Sequence, residues 1–187
     1  LKGLSDINGI KWIRLMYSYP EDIDDELIEL MAGDEKILNY FDMPIQHASD
    51  NILKAMGRKT SRTDLINKIE KIRKIIPEVC LRTSLISGFP GETEEDHQIL
   101  KDFVSDIKFD RLGVFAYSRE EGTKAYSMKG QITKKIKEKR RSEIMKLQEK
   151  IMLAKAEERL SKTFDIITDG YIPEDDIYVG RSFMDAP

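Results

Sequence analysis

The chain of 187 residues has a formal net charge of −3, with 40% hydrophobic and 35% charged residues. This balance is typical of a globular protein of one domain, or of one domain with part of another, and it excludes disordered and collagen-like chains. It also argues against a surface that is basic throughout, and no apolar run approaches the ~20 residues of a membrane span.

The first 117 residues alternate strand-like segments with helical ones. Segments rich in β-branched and aromatic residues predict strands over residues 10–17, 39–46, 79–87 and 111–117. Apolar residues recurring on one face predict helices over residues 24–31, 51–56 and 63–76, and a further helix capped by Thr93. Strands separated by helices favour parallel βαβ units, so the fold class is α/β, either a doubly wound sheet or part of a barrel. A closed eight-stranded barrel needs ~250 residues, so four strands indicate an open or partial barrel.

The remainder of the chain has a different pattern of residues. A long charged helix over residues 133–162 reads as a connecting helix. Residues 163–168 and 177–181 are strand-like, with turn residues at Asp169-Gly170 and at 173–176. Two strands form a marginal unit, so we predict the beginning of a small β domain. The predicted domains are residues 1–130, 131–162 and 163–187.

The loop Ser87–Thr93 follows the third predicted strand and precedes a helix, which is where parallel α/β folds bind ligands. Its Gly88 and Gly91 permit close approach of the backbone, and Glu92 could accept hydrogen bonds from an amine. A tight turn with a capping threonine explains the same residues equally well.

Arg82 and Ser84 share one face of the third predicted strand. Arg82 either meets a carboxylate inside a barrel or extends to solvent, and spacing alone favours solvent. His47 has no cysteine or second histidine at ligand spacing, so we interpret it as a structural residue and predict no metal site.

The single cysteine, Cys80, can form neither an intramolecular disulfide nor an iron–sulfur site by itself. The chain begins at Leu1 without an initiator methionine and shows no secretory signal. We therefore expect a cytoplasmic protein whose chain starts inside a longer one. The connecting helix carries an excess of basic residues, for which a solvated face is favoured over RNA contact: Lys134, Lys135, Lys137, Lys139, Arg140, Arg141, Lys146 and Lys150.

Four stretches of the chain resemble signatures of the radical S-adenosylmethionine (SAM) methylthiotransferases. They are Tyr40–Ser49, Ile52–Arg58, Arg82–Thr93, and Trp12–Tyr17 followed by Tyr19-Pro20. Residues 180–181 and 185–187 are similar to the interior of the family's TRAM domain. The tRNA-modifying branch typically has Gln-Ser-Gly-Ser and Ser-Pro-Arg-x-Gly-Thr where this chain has Gln-His-Ala-Ser at 46–49 and Ser-Arg-Glu-Glu-Gly-Thr at 118–123. Both differences favour the branch that modifies an aspartate of a small-subunit ribosomal protein.

The resemblance implies a partial barrel of the radical SAM type with four of its six strands present, followed by a linker helix and the start of a TRAM-like domain. It also implies that the intact enzyme uses S-adenosylmethionine and 4Fe-4S clusters to add a methylthio group to the β-carbon of that aspartate. The cluster-binding Cys-x3-Cys-x2-Cys loop does not occur in this sequence. We therefore expect an incomplete chain that is inactive alone and holds no catalytic or metal-binding residue.

The resemblance further implies a set of cofactor-binding residues, on strands and loops that meet at one edge of the sheet. Gln46 and Ser49 would contact polar groups of the cofactor, Arg82 its carboxylate and Ser84 its ribose or amine, and aromatic residues of the fourth strand would flank the adenine. The full predicted set is Gln46, Ser49, Arg82, Ser84, Gly88, Gly91, Glu92, Phe115 and Tyr117.

Two other functions stay open from the sequence. The first is a tRNA adenosine methylthiotransferase that uses the basic helix for RNA, which the acidic C-terminal segment disfavours. The second is a non-catalytic binding module, which rests on the missing cluster cysteines. The expected partner is a ribosomal protein or subunit, with no membrane. Residues 10–17 would form an unpaired edge strand that invites self-association.

Overall fold

Four parallel strands form the central sheet of the computed structural model, which describes residues 1–186. Their sequence order is also their spatial order: β1 (Ile13–Leu15), β2 (Ile37–Asp42), β3 (Cys80–Ser87) and β4 (Arg111–Ala116). All three strand pairs are parallel. The sheet confirms the predicted α/β class, and Pro187, which belonged to the TRAM resemblance, lies outside the described residues.

A short helix, α1 (Lys2–Ser5), precedes β1 and was not predicted. The other helices lie where the periodicity predicted them, although the last ends before residue 162: α2 (Asp25–Gly33), α3 (Asp50–Ala55), α4 (Arg62–Ile75), α5 (Glu94–Ile107) and α6 (Lys134–Glu157). Short 3-10 turns occur at Pro20–Asp22 and Lys124–Ser127. Thr93 caps α5 as predicted, because its hydroxyl accepts from the Asp96 amide at 3.1 Å while the Asp96 carboxylate accepts from the Thr93 amide at 2.9 Å. No helix within residues 1–186 is both long and apolar enough to cross a membrane.

The helices cover only one face of the sheet, which favours a barrel-type arrangement over a doubly wound one. One large buried cluster joins residues of α2, α4, α5 and α6 to strand residues such as Leu81 and Leu85. The opposite face, called here the open face, carries the alternate residues of the strands. Its members on the two central strands are Leu38, Tyr40, Asp42, Cys80, Arg82, Ser84 and Ile86.

Three local predictions were wrong in detail. β1 has three residues instead of eight, because this edge strand has only β2 as a neighbour and its register shifts between Ile13 and Leu15. β2 ends at Asp42, and Gln46 adds a single bridge to Leu85. Residues 169–170 do not form a turn, since β5 runs through them with a register shift.

The last two strands form a separate hairpin. β5 (Ile166–Ile172) and β6 (Ile177–Ser182) pair antiparallel, with the predicted turn at residues 173–176 between them. Every residue of β5 is exposed. The hairpin matches the predicted start of a small β unit, while the TRAM identity and the domain bounds remain predictions.

Buried polar contacts attach α6 to the sheet. Asp110, which is 2% exposed, accepts from Lys155 Nζ at 2.9 Å and from Arg159 Nη2 at 2.6 Å. Arg141 Nε donates to the Val114 carbonyl at 3.0 Å, and Arg140 is buried. The interpretation of the basic residues as one solvated stripe is therefore wrong for Arg140, whose guanidinium contacts Glu92 in the loop between β3 and α5.

Candidate functional site

Glu92 organises the loop that follows β3. It is 4% exposed, and its Oε2 accepts from the amides of Gly88 at 2.6 Å and Phe89 at 3.2 Å. Its Oε1 accepts from Arg140 Nη1 at 2.9 Å. We predicted that Glu92 faces a cofactor amine, whereas the structure commits both of its oxygens to the protein. The carboxylate holds the loop in shape and ties it to α6.

The ionisation of Glu92 is set by opposing effects. Burial raises its pKa, but His47, the Gly88 amide and the Arg140 charge together outweigh burial and hold the pKa below its ordinary value. His47 Nε2 lies 3.6 Å from Glu92 Oε2, which is too long for a well-formed hydrogen bond. His47 is fully buried, and its Nδ1 accepts from the Ser49 amide at 2.9 Å, so it has a structural place beside the loop.

The two predicted glycines of the loop have different reasons to be glycine. Gly88 has φ +78°, and a Cβ there would lie 2.4 Å from Lys137 Cγ, so α6 packs where a side chain would stand. Gly91 has φ +85°, and its amide donates to the Gly130 carbonyl at 2.9 Å. The space beside the Gly88 Cα is therefore occupied by Lys137 of α6, so no ligand can approach the backbone there.

Gln46 and Ser49 point in different directions. Gln46 has φ +74°, an uncommon value outside glycine, and its backbone pairs with Ser84 and Ile86 at 2.9 and 2.8 Å. Its side chain lines a cleft at the sheet edge. Ser49 is 2% exposed, and its hydroxyl donates to Asp96 Oδ1 at 2.5 Å. The structure therefore brings Gln46 to the cleft, while the Ser49 hydroxyl faces α5.

Arg82 meets a carboxylate, the alternative that spacing alone disfavoured. Its Nη1 lies 2.7 Å from Oδ1 of Asp42, its partner in the β2–β3 register, although no N–H is aligned on that oxygen. The Asp42 side chain is 1% exposed, and its Oδ2 accepts from the Tyr17 amide at 3.3 Å. Ser84 follows on the same face and is partly exposed.

The aromatic residues predicted to flank the adenine differ in availability. Phe115 is 62% exposed and pairs in register with Ile86 at the end of the open face. Tyr117 is partly buried, with its ring edge-on to Phe89 at 5.3 Å and Lys137 Nζ 4.5 Å from the ring centre. Phe115 is thus free to stack on a ligand, and Tyr117 is already packed.

A cleft of about 720 Å³ opens at the C-terminal edge of the sheet, between the β2–β3 loops and both 3-10 turns. Its basic residues, Lys54, Arg58, Lys59 and Lys124, face a single lining carboxylate, Glu21. Within residues 1–186 none of the four basic residues forms an ion pair. The cleft is therefore suited to a ligand that carries negative charge.

Arg58 is the site residue that sequence reasoning missed. Its Nη2 donates to the Pro44 carbonyl at 2.8 Å, and its guanidinium carbon lies 5.0 Å from the centre of the Tyr19 ring. These contacts fix the side chain in the cleft and leave its charge unneutralised. Its position in the signature segment 52–58 was the available signal, but only the fold places it beside Gln46.

The described residues do not supply the ligands of an iron–sulfur cluster. No group of three or more His, Cys, Asp or Glu side chains within residues 1–186 could hold a metal ion. Cys80 is 1% exposed, and burial raises its pKa to about 12, so it is not a ready thiolate. The basic residues of the cleft suit an anionic group of a ligand, such as a carboxylate, and a cluster would need ligands from elsewhere.

Comparison with known families decides the classification. The family model described as the radical SAM superfamily matches residues 2–104. The chain belongs to this superfamily. Coproporphyrinogen III oxidase (HemN) from Escherichia coli, described as a radical SAM enzyme, superposes with a TM-score of 0.62 at 18% identity. The superposition covers 75% of this chain and 32% of that one, and it supports the fold.

Among curated proteins, the chain is similar over all 187 residues to two named "Ribosomal protein uS12 methylthiotransferase RimO". The identity is 54% to the protein of Lachnoclostridium phytofermentans and 51% to that of Acetivibrio thermocellus. The chain spans 42% and 41% of the length of these relatives.

Proposed function

We propose that the protein acts as part of a radical SAM methylthiotransferase that modifies the β-carbon of an aspartate in ribosomal protein uS12. The observation that carries the proposal is identity of 50% or more along the whole chain to relatives named for this reaction. The cleft lies at the C-terminal edge of a parallel sheet, where such folds bind their ligands.

The chain offers partners for the carboxylate, the ribose and the adenine of S-adenosylmethionine at this edge of the sheet. When bound, S-adenosylmethionine would supply the chemistry for removing a hydrogen atom from the substrate, and the cluster ligands would come from outside the described residues. We assign the cofactor's carboxylate to Arg58, because its guanidinium is fixed in the cleft and has no carboxylate partner, whereas Arg82 is already paired with Asp42. Gln46 and Ser84 remain the candidates for the polar groups of the ribose and amine, and Phe115 for stacking on the adenine.

The remaining predicted residues act through the shape of the site. Glu92 holds the amides of the β3–α5 loop, and Gly88 and Gly91 give that loop its left-handed turns. Ser49 anchors the β2 loop to α5 through Asp96. A site held by buried hydrogen bonds stays in one geometry when the ligand arrives, which is the protein's contribution to controlling a reactive cofactor.

The substrate is tested with the protein produced from its complete gene and reconstituted with iron and sulfide under anaerobic conditions. Purified uS12, assembled small subunits and bulk tRNA are incubated separately with S-adenosylmethionine and reductant, and each is analysed by mass spectrometry. We expect one methylthio group on an aspartate of uS12 and none after that aspartate is changed to asparagine. Modification of tRNA with unmodified uS12 would overturn the assignment.

We also propose a cytoplasmic location and the ribosomal subunit as the setting of the reaction. Support comes from the relatives' names and from the unpaired buried cysteine. On α6, Arg140 donates to Glu92 and Arg141 to the Val114 carbonyl, so these two basic residues have partners within the protein. RNA contact through the remaining basic residues of α6 is a further proposal, which a salt-dependent filter-binding assay with ribosomal RNA tests.

A further inference from the structure

The N-terminal end of the open face is covered by residues from the far end of the chain. A second buried cluster contains Leu38, Tyr40, Cys80 and Met184. Cys80 is the first residue of β3, and its Sγ lies 3.7 Å from the Met184 carbonyl oxygen. Residues 182–186, called here the floor turn, therefore lie against the end of the face opposite the cleft.

Two arginines of the sheet hold the floor turn. Arg14 donates from Nη1 to the Phe183 carbonyl at 2.7 Å and from Nη2 to the Asp185 carbonyl at 2.9 Å. Its guanidinium carbon also lies 4.2 Å from the centre of the Tyr40 ring. Arg111, the first residue of β4, donates from Nη2 to Asp185 Oδ1 at 2.6 Å.

Asp185 also shapes the turn from within. Its Oδ2 accepts from the Ser182 hydroxyl at 2.8 Å and from the Ser182 amide at 3.3 Å. Partial burial opposes its ionisation, but the hydrogen bonds from Arg111 and Ser182 outweigh burial and keep its pKa below the ordinary value. One carboxylate thus closes the turn and fastens it to β4.

We propose that the floor turn closes the base of the cofactor-binding face, and that Arg14, Arg111 and Asp185 are positioning residues that keep it closed. Arg82 lies two residues beyond Cys80 on the same strand face, so the turn lies directly below the predicted cofactor region. With the base closed, a ligand cannot reach the face past Cys80. The closure also links the β5–β6 hairpin to the sheet, because β6 leads directly into the turn.

The rate at which Cys80 is alkylated measures whether the floor turn covers the face, and it needs no assay of enzyme activity. We compare its alkylation by iodoacetamide, followed by peptide-resolved mass spectrometry, in the wild type and in Asp185→Asn, using protein from the complete gene. Opening exposes the sulfur and lowers its pKa from about 12 towards the ordinary value, and both changes speed alkylation. We expect a rate about tenfold higher, which corresponds to the loss of one charge-assisted hydrogen bond.

The matched control is Asp169→Asn, in the same hairpin. Asp169 accepts from Arg181 Nη2 at 2.6 Å in an exposed pair far from Cys80 in the sequence, so its loss should leave the alkylation rate within about twofold of wild type. A second variant, Arg14→Lys, keeps the positive charge but cannot bridge two carbonyls, and it should also speed alkylation. If both Asp185→Asn and Arg14→Lys alkylate at the wild-type rate, the floor turn does not cover the face and the proposal is wrong.

The link to the reaction rests on the proposed function and has its own measurement. We expect Asp185→Asn to use more S-adenosylmethionine per methylthio group transferred than either wild type or Asp169→Asn, because the base of the site is open. Faster alkylation of Cys80 with no change in the S-adenosylmethionine used per methylthio group would show that the floor turn closes the face but does not affect the reaction. A wild type without methylthio transfer would overturn the proposed function, while the alkylation result would still stand.

Discussion

Replacing Glu92 by glutamine tests whether one buried carboxylate holds the loop that follows β3. The change keeps the shape of the side chain but removes the charge that faces Arg140, whose side chain is only 8% exposed. Breaking a buried ion pair by removing one partner costs about 3 to 5 kcal/mol, because the other charge is left buried. The Arg140 guanidinium keeps the Glu92 carbonyl and the exposed Glu94 as acceptors, so we expect the lower end, about 3 kcal/mol.

The free energy of unfolding is measured by urea denaturation, with Glu94→Gln as the control. Glu94 accepts from the same arginine at 3.2 Å, but its side chain is 75% exposed, so its loss should cost less than about 0.5 kcal/mol. A difference between the two variants below about 1 kcal/mol would show that the Glu92–Arg140 pair does not stabilise the fold, and that the network argument is wrong.

The same variant predicts a pH dependence. The pKa of Glu92 is lower in the folded protein than in the unfolded chain, so its contribution is complete above the ordinary carboxylate pKa of ~4.3 and is lost as the pH falls through the folded value. The stability difference between wild type and Glu92→Gln should therefore be constant near neutral pH and shrink on acidification. A difference that grows towards acid pH would contradict the lowered pKa.

Three further predictions concern the cleft, the loop after β3 and the edge of the sheet. Arg58→Ala should weaken S-adenosylmethionine binding by about 10- to 100-fold in calorimetry, as for a lost charge-assisted hydrogen bond, while Arg82→Ala should mainly lower the free energy of unfolding. If Arg82→Ala weakens binding more than Arg58→Ala does, then Arg82 is the residue that binds the cofactor's carboxylate. Gly88→Ala should lower the unfolding free energy by about 2 to 4 kcal/mol, because it combines φ +78° with a clash against Lys137. The control, Gly57→Ala, has φ +76° but open space around it and should cost about 1 kcal/mol; equal losses in the two variants would show that packing against Lys137 does not matter. The isolated 187-residue chain should associate through the β1 edge in light scattering, and a monodisperse monomer of 21.6 kDa would show that the edge is protected.

Local signals in the sequence located most elements of the fold, although not all of their ends. β-branched runs located the strands, and apolar periodicity located the helices. The Thr93 cap was predictable because its partner lies three residues away. The alternation along β3 also placed Arg82 and Ser84 on one face, and the motif after that strand pointed to the ligand-binding edge. These features depend on neighbours within a few residues, so the sequence displays them directly.

The partners of the charged residues depended on contacts between distant segments. Arg82 meets Asp42 across forty residues, and Arg140 meets Glu92 across forty-eight, so neither pairing was visible in the local pattern. From spacing alone we predicted that Arg82 extends to solvent and that Arg140 belongs to the solvated face of the connecting helix. A charge is buried only where a partner compensates it, and the partner is supplied by the fold.

The residue pattern by itself predicted a parallel α/β sheet and the edge at which a ligand would bind, whereas the structure supplied the order of the strands. Only the tertiary structure decided that Arg58 enters the cleft, that Glu92 serves the loop, and that the chain's last described residues lie against Arg14, more than 160 positions earlier. Backbone preference and hydrophobic period act over one or two turns of chain, and they fix the first group of features. The second group follows from which surfaces remain to be covered once the strands have paired, and this is decided by packing of the whole chain.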